Sequence, residues 1–313
     1  MNLRDLGEGA LIRKIRQRFG NGEAPAGNGP IGIGDDAAVF DLPVGHSAVF
    51  CSDLVAENTH FIRNLHPPDS VGYKSVAANA SDVGAMGGIP MHFLISLAAP
   101  GDLDVSWFEG FLDGIERACH DFNVSLLGGD SSSAELIFVD VSMIGRVPSG
   151  QAVRRSGAKA GDGIYVTGTL GSSALGLDLL KAGRTNEPAV QRHLYPEIRY
   201  RIGAAVRDRA HAMIDISDGL STDLTHILEE SKASARIYRN RLPAAPGAED
   251  HHVLHGGEEY ELLIIASDLP ESIDGISLTR IGEIIDSAIE NQAFLLDGAS
   301  ESVLHPRGWQ HFA

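Results

Sequence analysis

The chain has 313 residues, 43% of them hydrophobic and 21% charged, and a formal net charge of −17. That length accommodates two domains of ordinary size and that composition belongs to a folded protein. The charge excludes nucleic acid and anionic membranes as partners, since both demand basic patches.

No apolar run approaches the ~18 residues needed to span a bilayer. Cys51 and Cys119 make neither a disulfide framework nor a metal-site spacing. With no export signal at the N-terminus, the expected location is cytoplasmic. Between Gly32 and Gly145, three Lys and Arg residues face sixteen Asp and Glu. Protein cations cannot neutralise that half of the chain, so its carboxylates either face water or hold metal.

Residues 1–19 predict one amphipathic helix, and residues 37–42 and 47–55 predict strands from their β-branched and aromatic content. A helix opens at Pro68 and Asp69 and closes at the Gly87-Gly88-Ile89-Pro90 stop signal. Residues 91–100 follow as a buried strand. Val105, Phe108, Phe111, Leu112 and Ile115 recur at helical spacing across residues 104–122. Residues 124–127 and 135–147 predict further strands.

The segment "PSGQAVRRSGAKAGD" marks a boundary, giving domains at 1–148 and 149–313. Beyond it, strands are expected at 163–168, 212–217, 235–239, 260–267 and 278–285, with helices at about 172–182, 197–209 and 219–231. The coarse class is α+β in two domains.

"GNGPIG" at 27–32 satisfies a dinucleotide pattern but neither follows a clear strand nor opens a helix. The dipeptide Gly-Lys is absent, which removes a P-loop. Aspartates supply another device for handling phosphates. "GIGDDAAVF" presents adjacent Asp35 and Asp36, which repel by about 4 kcal/mol at ~4 Å and an effective dielectric near 20. Asp53 ends a strand, Asp82 lies in a helix among small residues, and Asp130 follows a strand and two glycines. Asp215 and Asp218 bracket a strand end and a helix start. Small neighbours allow a polyanion and its hard cations to approach closely. Asp36 also fits a turn, and Asp218 also fits the cap of the helix after it.

Seven segments, "GIGDDAAVF", "SDLVAENTHF", "GYKSVAANASDVGAMGG", "LLGGDSS", "RRSGAKAGD", "IDISDGLSTDL" and "HGGEEYELL", occur in that order. Together they resemble the thiamine-monophosphate kinases of the aminoimidazole ribonucleotide synthetase-like superfamily, from about residue 5 to the closing "RGWQHFA". The resemblance implies an N-terminal α/β domain that binds ATP and metal and builds a barrel with a second subunit, hence a homodimer, followed by a C-terminal α/β domain. It implies ATP-dependent phosphorylation of thiamine monophosphate to thiamine diphosphate, assisted by Mg²⁺, with no protein acid or base as catalyst. Metal positions fall on Asp36, Cys51 (through its backbone), Ser52, Asp53, Asp82, Asp130, Asp215 and Asp218. Nucleotide contacts fall on Gly129, Asp130, Arg155 and Ser217, and substrate contacts on His60, Glu258 and Trp309. Ser52 stands where the family more often has Thr, and Trp309 where it often has Tyr.

Rival readings stay within reach of the residues. Selenophosphate synthesis wants a Cys in the N-terminal glycine loop, and residues 20–36 have none. The hydrogenase-maturation relative needs a C-terminal Cys, and this chain ends "HFA". Aminoimidazole ribonucleotide synthetase is the nearest enzymatic alternative. A non-catalytic module binding divalent ions or nucleotide is the alternative from another class.

Overall fold

The computed structural model describes residues 1–20, 30–34, 36–287 and 291–312. Asp35 and the first three residues of the 27–32 pattern lie outside the described residues. The chain divides into two units, one of residues 1–83 and 89–149 and the other of residues 84–88 and 150–313.

In the first unit, the helices α1 (Leu3–Leu6) and α2 (Glu8–Phe19) stand where one helix was expected. Gly7 separates them at φ +77°, a left-handed value incompatible with a continuous right-handed helix. Next come β1 (His46–Ala56), α3 (Pro68–Ala85), β2 (Ile89–Ala99), α4 (Val105–Phe122), β3 (Ser125–Ser133) and β4 (Phe138–Pro148). The sheet order is β1-β4-β2-β3, with β2 and β3 parallel and the other pairs antiparallel.

Alternation in β4 is strict: Val139, Val141 and Met143 are fully buried, while Asp140, Ser142 and Ile144, each following one of them, are part-exposed. The helix α4 caps itself with Asp104, which accepts the Ser106 N–H at 2.8 Å, and ends at Asn123 in the left-handed region. It meets α3 at backbone distance. A Cβ on Gly114 would lie 1.8 Å from the Asp69 carbonyl oxygen, and one on Gly72 2.1 Å from that of Phe111.

Two local expectations fail here. Residues 37–42 form no strand; Ile31 and Val39 make an isolated bridge, and Val39 is exposed. β-Branched and aromatic content without a buried face does not fix a strand. Conversely, β3 does not stop at its glycines but runs on through Gly128, Gly129 and Asp130 to Ser133, paired with β2. Main-chain pairing needs no side chain, so composition missed it.

The second unit holds β5 (Gly163–Thr167), α5 (Ser172–Lys181), α6 (Pro188–Leu194), α7 (Tyr200–Val206), β6 (Ala210–Asp215) and α8 (Leu220–Ser231). It continues with β7 (Ser234–Tyr238), α9 (Asp250–His255), β8 (Leu262–Ala266), β9 (Ser272–Ile273), β10 (Ile276–Ile285), β11 (Ala293–Asp297) and β12 (Ser300–Val303). The main path of the sheet is β12-β11-β7-β10-β5-β8-β6, with β9 paired to β10. The strands β5 and β8 are buried at every position. Their near-continuous Ile, Val and Leu reflect cover on both faces. The helices α6 and α9 and the hairpin β11–β12 have no counterpart in the sequence reading, because they are too short for periodicity to register. No described helix is long and apolar enough to cross a membrane.

Candidate active site

Successive residues of a strand point to opposite sides, and β1 uses this to separate its polar run. Cys51 and Asp53 face α3. The Cys51 Sγ donates to the Asn79 carbonyl at 3.4 Å, and the Asp53 carboxyl hydrogen-bonds with that of Asp82. Two carboxyl groups in that contact require a proton or a cation between them. Burial, reinforced by the Asp140 charge, raises the Asp53 pKa, while the bond to Asp82 and the nearby His60 oppose the rise. The Nδ1 of His60 accepts the Ala56 N–H at 3.0 Å, which leaves the ring proton on Nε2.

Ser52 turns the other way. Its hydroxyl donates to Asp140 Oδ1 at 2.9 Å and lies 3.1 Å from the Ser142 hydroxyl. Asp140 pairs in register with Ser96, which pairs with Asp130, so the two aspartates share one cross-strand row. Two strand spacings of ~4.8 Å separate them. Asp130 Oδ1 accepts the Ser131 N–H at 2.8 Å. A Cβ on Gly129 would lie 1.8 Å from the Ile95 carbonyl oxygen, so only glycine permits this approach of β3 to β2. Asp36, Gly129, Asp130, Asp140 and Ser142 line a cavity of about 800 Å³, within the range of small-molecule sites.

In the second unit, Asp215 ends β6 and is 3% exposed. The loop after it leads into α8, whose first turn carries Asp223. The Oδ2 of Asp223 accepts the N–H groups of Asp218 and Gly219 at 3.1 and 3.0 Å. Asp218 therefore does not cap α8: an aspartate inside the helix performs that task, and the expected capping role is corrected. Burial, then the charges of Asp215 and Asp218, push the Asp223 pKa well above the carboxylate range. Burial also raises that of Asp218, against the pull of His226, His311 and Arg155. Ligating atoms of Asp218, Asp223 and His226 all lie within 4.8 Å of one another.

The segment 256–260 docks on the same loop. Glu258 N–H donates to the Ser217 carbonyl at 2.7 Å and Tyr260 N–H to that of Ile216 at 2.9 Å. Glu258 and Tyr260 sit at φ +58° and +55°, left-handed values that cost non-glycine residues on the order of 1 kcal/mol each. The chain's last segment arrives too. Trp309 N–H donates to the Asp218 carbonyl at 3.0 Å, Gly308 N–H to Thr222 Oγ1 at 3.0 Å, and Arg307 N–H to Ser221 Oγ at 3.3 Å. Asp215, Ser217, Asp218, Glu258 and Trp309 are thus gathered around one loop from three distant stretches. Arg155 enters through its charge, which acts on Asp218.

The sequence reading overlooked Asp140, Asp223 and His226. Asp140 had a signal, a carboxylate interrupting the apolar run of β4. The first unit's donors, carboxylate and hydroxyl oxygens, fit a hard divalent cation, and the second unit's group adds one imidazole nitrogen to its two carboxylates. A further grouping, Asp178 with His251 and His252, does not fit a metal as well. His252 Nδ1 accepts the Glu249 N–H at 3.0 Å, so its Nε2 carries the proton and faces Asp178 Oδ2 at 3.2 Å.

Known proteins share this arrangement of elements. The AIR synthase related protein N-terminal domain matches residues 34–147, and the corresponding C-terminal domain matches residues 159–288. The thiamine-monophosphate kinase of Escherichia coli (strain K12) is 36% identical over 304 residues, covering 90% of this chain and 92% of that protein. This chain belongs to the thiamine-monophosphate kinase family. The family's member from Aquifex aeolicus (strain VF5) is 33% identical over 327 residues, spanning 100% of both chains. Among solved structures, AaThiL complexed with AMPPCP and TMP aligns with a TM-score of 0.78 at 32% identity, covering 100% of this chain and 99% of that one. The thiamine-monophosphate kinase of Stenotrophomonas maltophilia K279a aligns with the same score at 33% identity, covering 92% of this chain and 96% of the other. The hydrogenase maturation protein HypE in complex with ATP, at 19% identity and a TM-score of 0.77, shares the fold alone. All the thiamine-monophosphate kinase motifs except the Trp309 segment fall inside or across the two matched domains.

Proposed function

We propose that this chain is an ATP-dependent kinase that phosphorylates thiamine monophosphate to thiamine diphosphate. The whole-length match to thiamine-monophosphate kinases, one of them solved with AMPPCP and TMP, carries the reading. A phosphate oxygen of thiamine monophosphate attacks the γ-phosphorus of ATP. The bond to that oxygen forms as the bond to ADP breaks, and ADP leaves with the electron pair.

The attacking oxygen is already anionic near neutral pH, so no protein base has to take a proton. The obstacle is repulsion between two polyanions. In the first unit, Asp53 and Asp82 would hold Mg²⁺ on the α3 side of the sheet, and Asp36, Asp130 and the Ser52 hydroxyl on its other side, with the Cys51 backbone between; in the second, Asp215 and Asp218 would do so. Bound Mg²⁺ neutralises phosphate charge. The carboxylates themselves would fix where cations sit; burial raises the proton affinity of Asp53 and Asp218, and a bound cation would offset that cost. Gly129 brings backbone close to the nucleotide, Ser217 offers a hydroxyl, and Arg155 gives charge-assisted hydrogen bonds to phosphate. His60, Glu258 and Trp309 are assigned to thiamine monophosphate. Glu258 complements its organic cation, and the Trp309 ring offers a stacking face. The need for ATP supports a cytoplasmic location.

We assign the open face of the first unit's sheet to a second copy of the chain. Phe50 and Leu54 on β1 and Leu94 on β2 are 67%, 50% and 43% exposed, large apolar groups on the same side of the sheet to either side of β4. Phe50→Asp is expected to turn a dimer into a monomer by light scattering; a wild-type monomer would refute this assignment. The activity is tested with purified protein, ATP, Mg²⁺ and thiamine monophosphate, following thiamine diphosphate and ADP. Stoichiometric formation of both, abolished by chelator, is expected; ADP formation without thiamine diphosphate would overturn the reading.

A further inference from the structure

His193, on α6, is 1% exposed and has no part in the phosphate chemistry. The helix reaches its place because α5 carries Gly176, where a Cβ would lie 2.1 Å from the Ala189 carbonyl oxygen and 2.9 Å from His193 Cβ. The two helices are locked at backbone contact, and His193 is locked with them. Its Nδ1 lies 3.0 Å from the Ser173 hydroxyl and 3.6 Å from Glu258 Oε2. Ser173 is held in turn, its N–H donating to Glu259 Oε1 at 2.8 Å.

Arg192, the preceding residue of α6, donates to the Glu259 carbonyl at 3.2 Å and to Glu261 Oε1 at 2.6 Å. The helix α6 therefore holds three points of one segment: the carboxylate of Glu258, the carbonyl of Glu259 and the carboxylate of Glu261. That segment contains the two left-handed residues, a conformation that persists only where surroundings over-determine it. Of the three points, only the one held by His193 is a side chain assigned to substrate.

From this juxtaposition we propose that His193 is a positioning residue, which aims the Glu258 carboxylate and thereby sets affinity for the organic cation of thiamine monophosphate. The inference rests on the kinase reading and on Glu258 as a substrate contact. It separates the two substrates: ATP affinity and the rate at saturation do not depend on His193.

The test is steady-state kinetics of the full chain with both substrates varied. His193→Leu removes the ring nitrogen at ion-pair distance from Glu258 and is expected to raise KM for thiamine monophosphate about fivefold, the upper scale of an ion-pair contact. KM for ATP and kcat stay within about twofold on the same scale. His193→Asn, which restores a donor where Nδ1 stood, recovers most of the loss. In a Glu258→Gln background, His193→Leu adds less than about twofold, because the two act as one unit. Ser173→Ala, a smaller change, serves if His193→Leu does not fold, and is expected to raise the same KM about threefold. An unchanged KM for thiamine monophosphate in the folded variant, a parallel rise in the KM for ATP, or multiplying effects in the double variant would overturn the proposal. A wild-type protein that turns over no thiamine monophosphate would instead overturn the kinase reading, and this inference with it.

Discussion

Two groups of carboxylates, one in each unit, are handled in opposite ways. In the first, Asp36 and Asp130 are exposed, Asp53, Asp82 and Asp140 are half-buried, and cations from the protein itself are scarce around them. In the second, Glu259 and Glu261 are each 1% exposed, and each has a distinct internal solution. Glu261 accepts from Thr167 Oγ1 at 2.5 Å, from Arg192 Nη2 at 2.6 Å, and from Arg199 Nε and Nη2 at 2.7 Å each. Glu259 accepts from the backbone N–H groups of Ser173 and Gly171, has a second oxygen with no hydrogen-bond partner among the described residues, and is pushed up to about 8, chiefly by burial. Acids left short of countercharge at an open surface point to a ligand that brings it. Acids neutralised from within hold the scaffold.

That contrast predicts which measurement each substitution disturbs. The largest effect is expected for Asp82→Asn and Asp130→Asn, which should lower kcat/KM by about 10² to 10⁴, the scale of lost electrostatic stabilisation. The melting temperature should stay close to wild type. Near-full activity at limiting Mg²⁺ would break the first half of the comparison. Glu261→Gln should do the reverse, since removing one partner of a buried pair leaves two arginines short of charge. A loss of about 3 kcal/mol is expected, read by denaturant unfolding. Unaltered stability would show that the pair is not the fold's concern.

Glu259 sharpens the comparison with an effect that depends on pH and has a definite sign. Its carboxyl titrates near 4.5 when unfolded and near 8 when folded. Between those values the folded state keeps a proton that the unfolded state has lost. The stability it contributes is therefore complete below 4.5 and falls as pH rises towards 8, by at most about 1.4 kcal/mol per pH unit. Glu259→Gln keeps a neutral group and should flatten that fall, so the variant should outlast wild type in thermal melts at pH 8.5 and match it at pH 5. Parallel curves would rule out a buried neutral acid.

How much of this was legible in the sequence depended on whether a residue's partner lay along its own element. The alternation of β4 and the apolar stripe of α4 are written in period, and the structure follows them. The extension of β3 through Gly129 is not, because it depends on main-chain groups of β2 that no local pattern announces. Asp218 shows the same limit at a site: Asp before an apolar helix reads as a cap, yet Asp223, five residues on, takes the N–H groups. The motifs placed Ser217, Glu258 and Trp309 near one another only by resemblance, and the left-handed backbone that joins the first two carries no compositional sign. His193 lies 65 residues before Glu258 and meets it only through the α5–α6 contact that Gly176 permits.

The three main-chain bonds from Arg307, Gly308 and Trp309 to the first turn of α8 and the loop before it carry a practical meaning. Tension applied beyond Trp309 would be passed directly to the proposed aromatic subsite. A protease cut after Leu304 would release that subsite while leaving both sheets whole, and the clipped enzyme would misreport its own specificity.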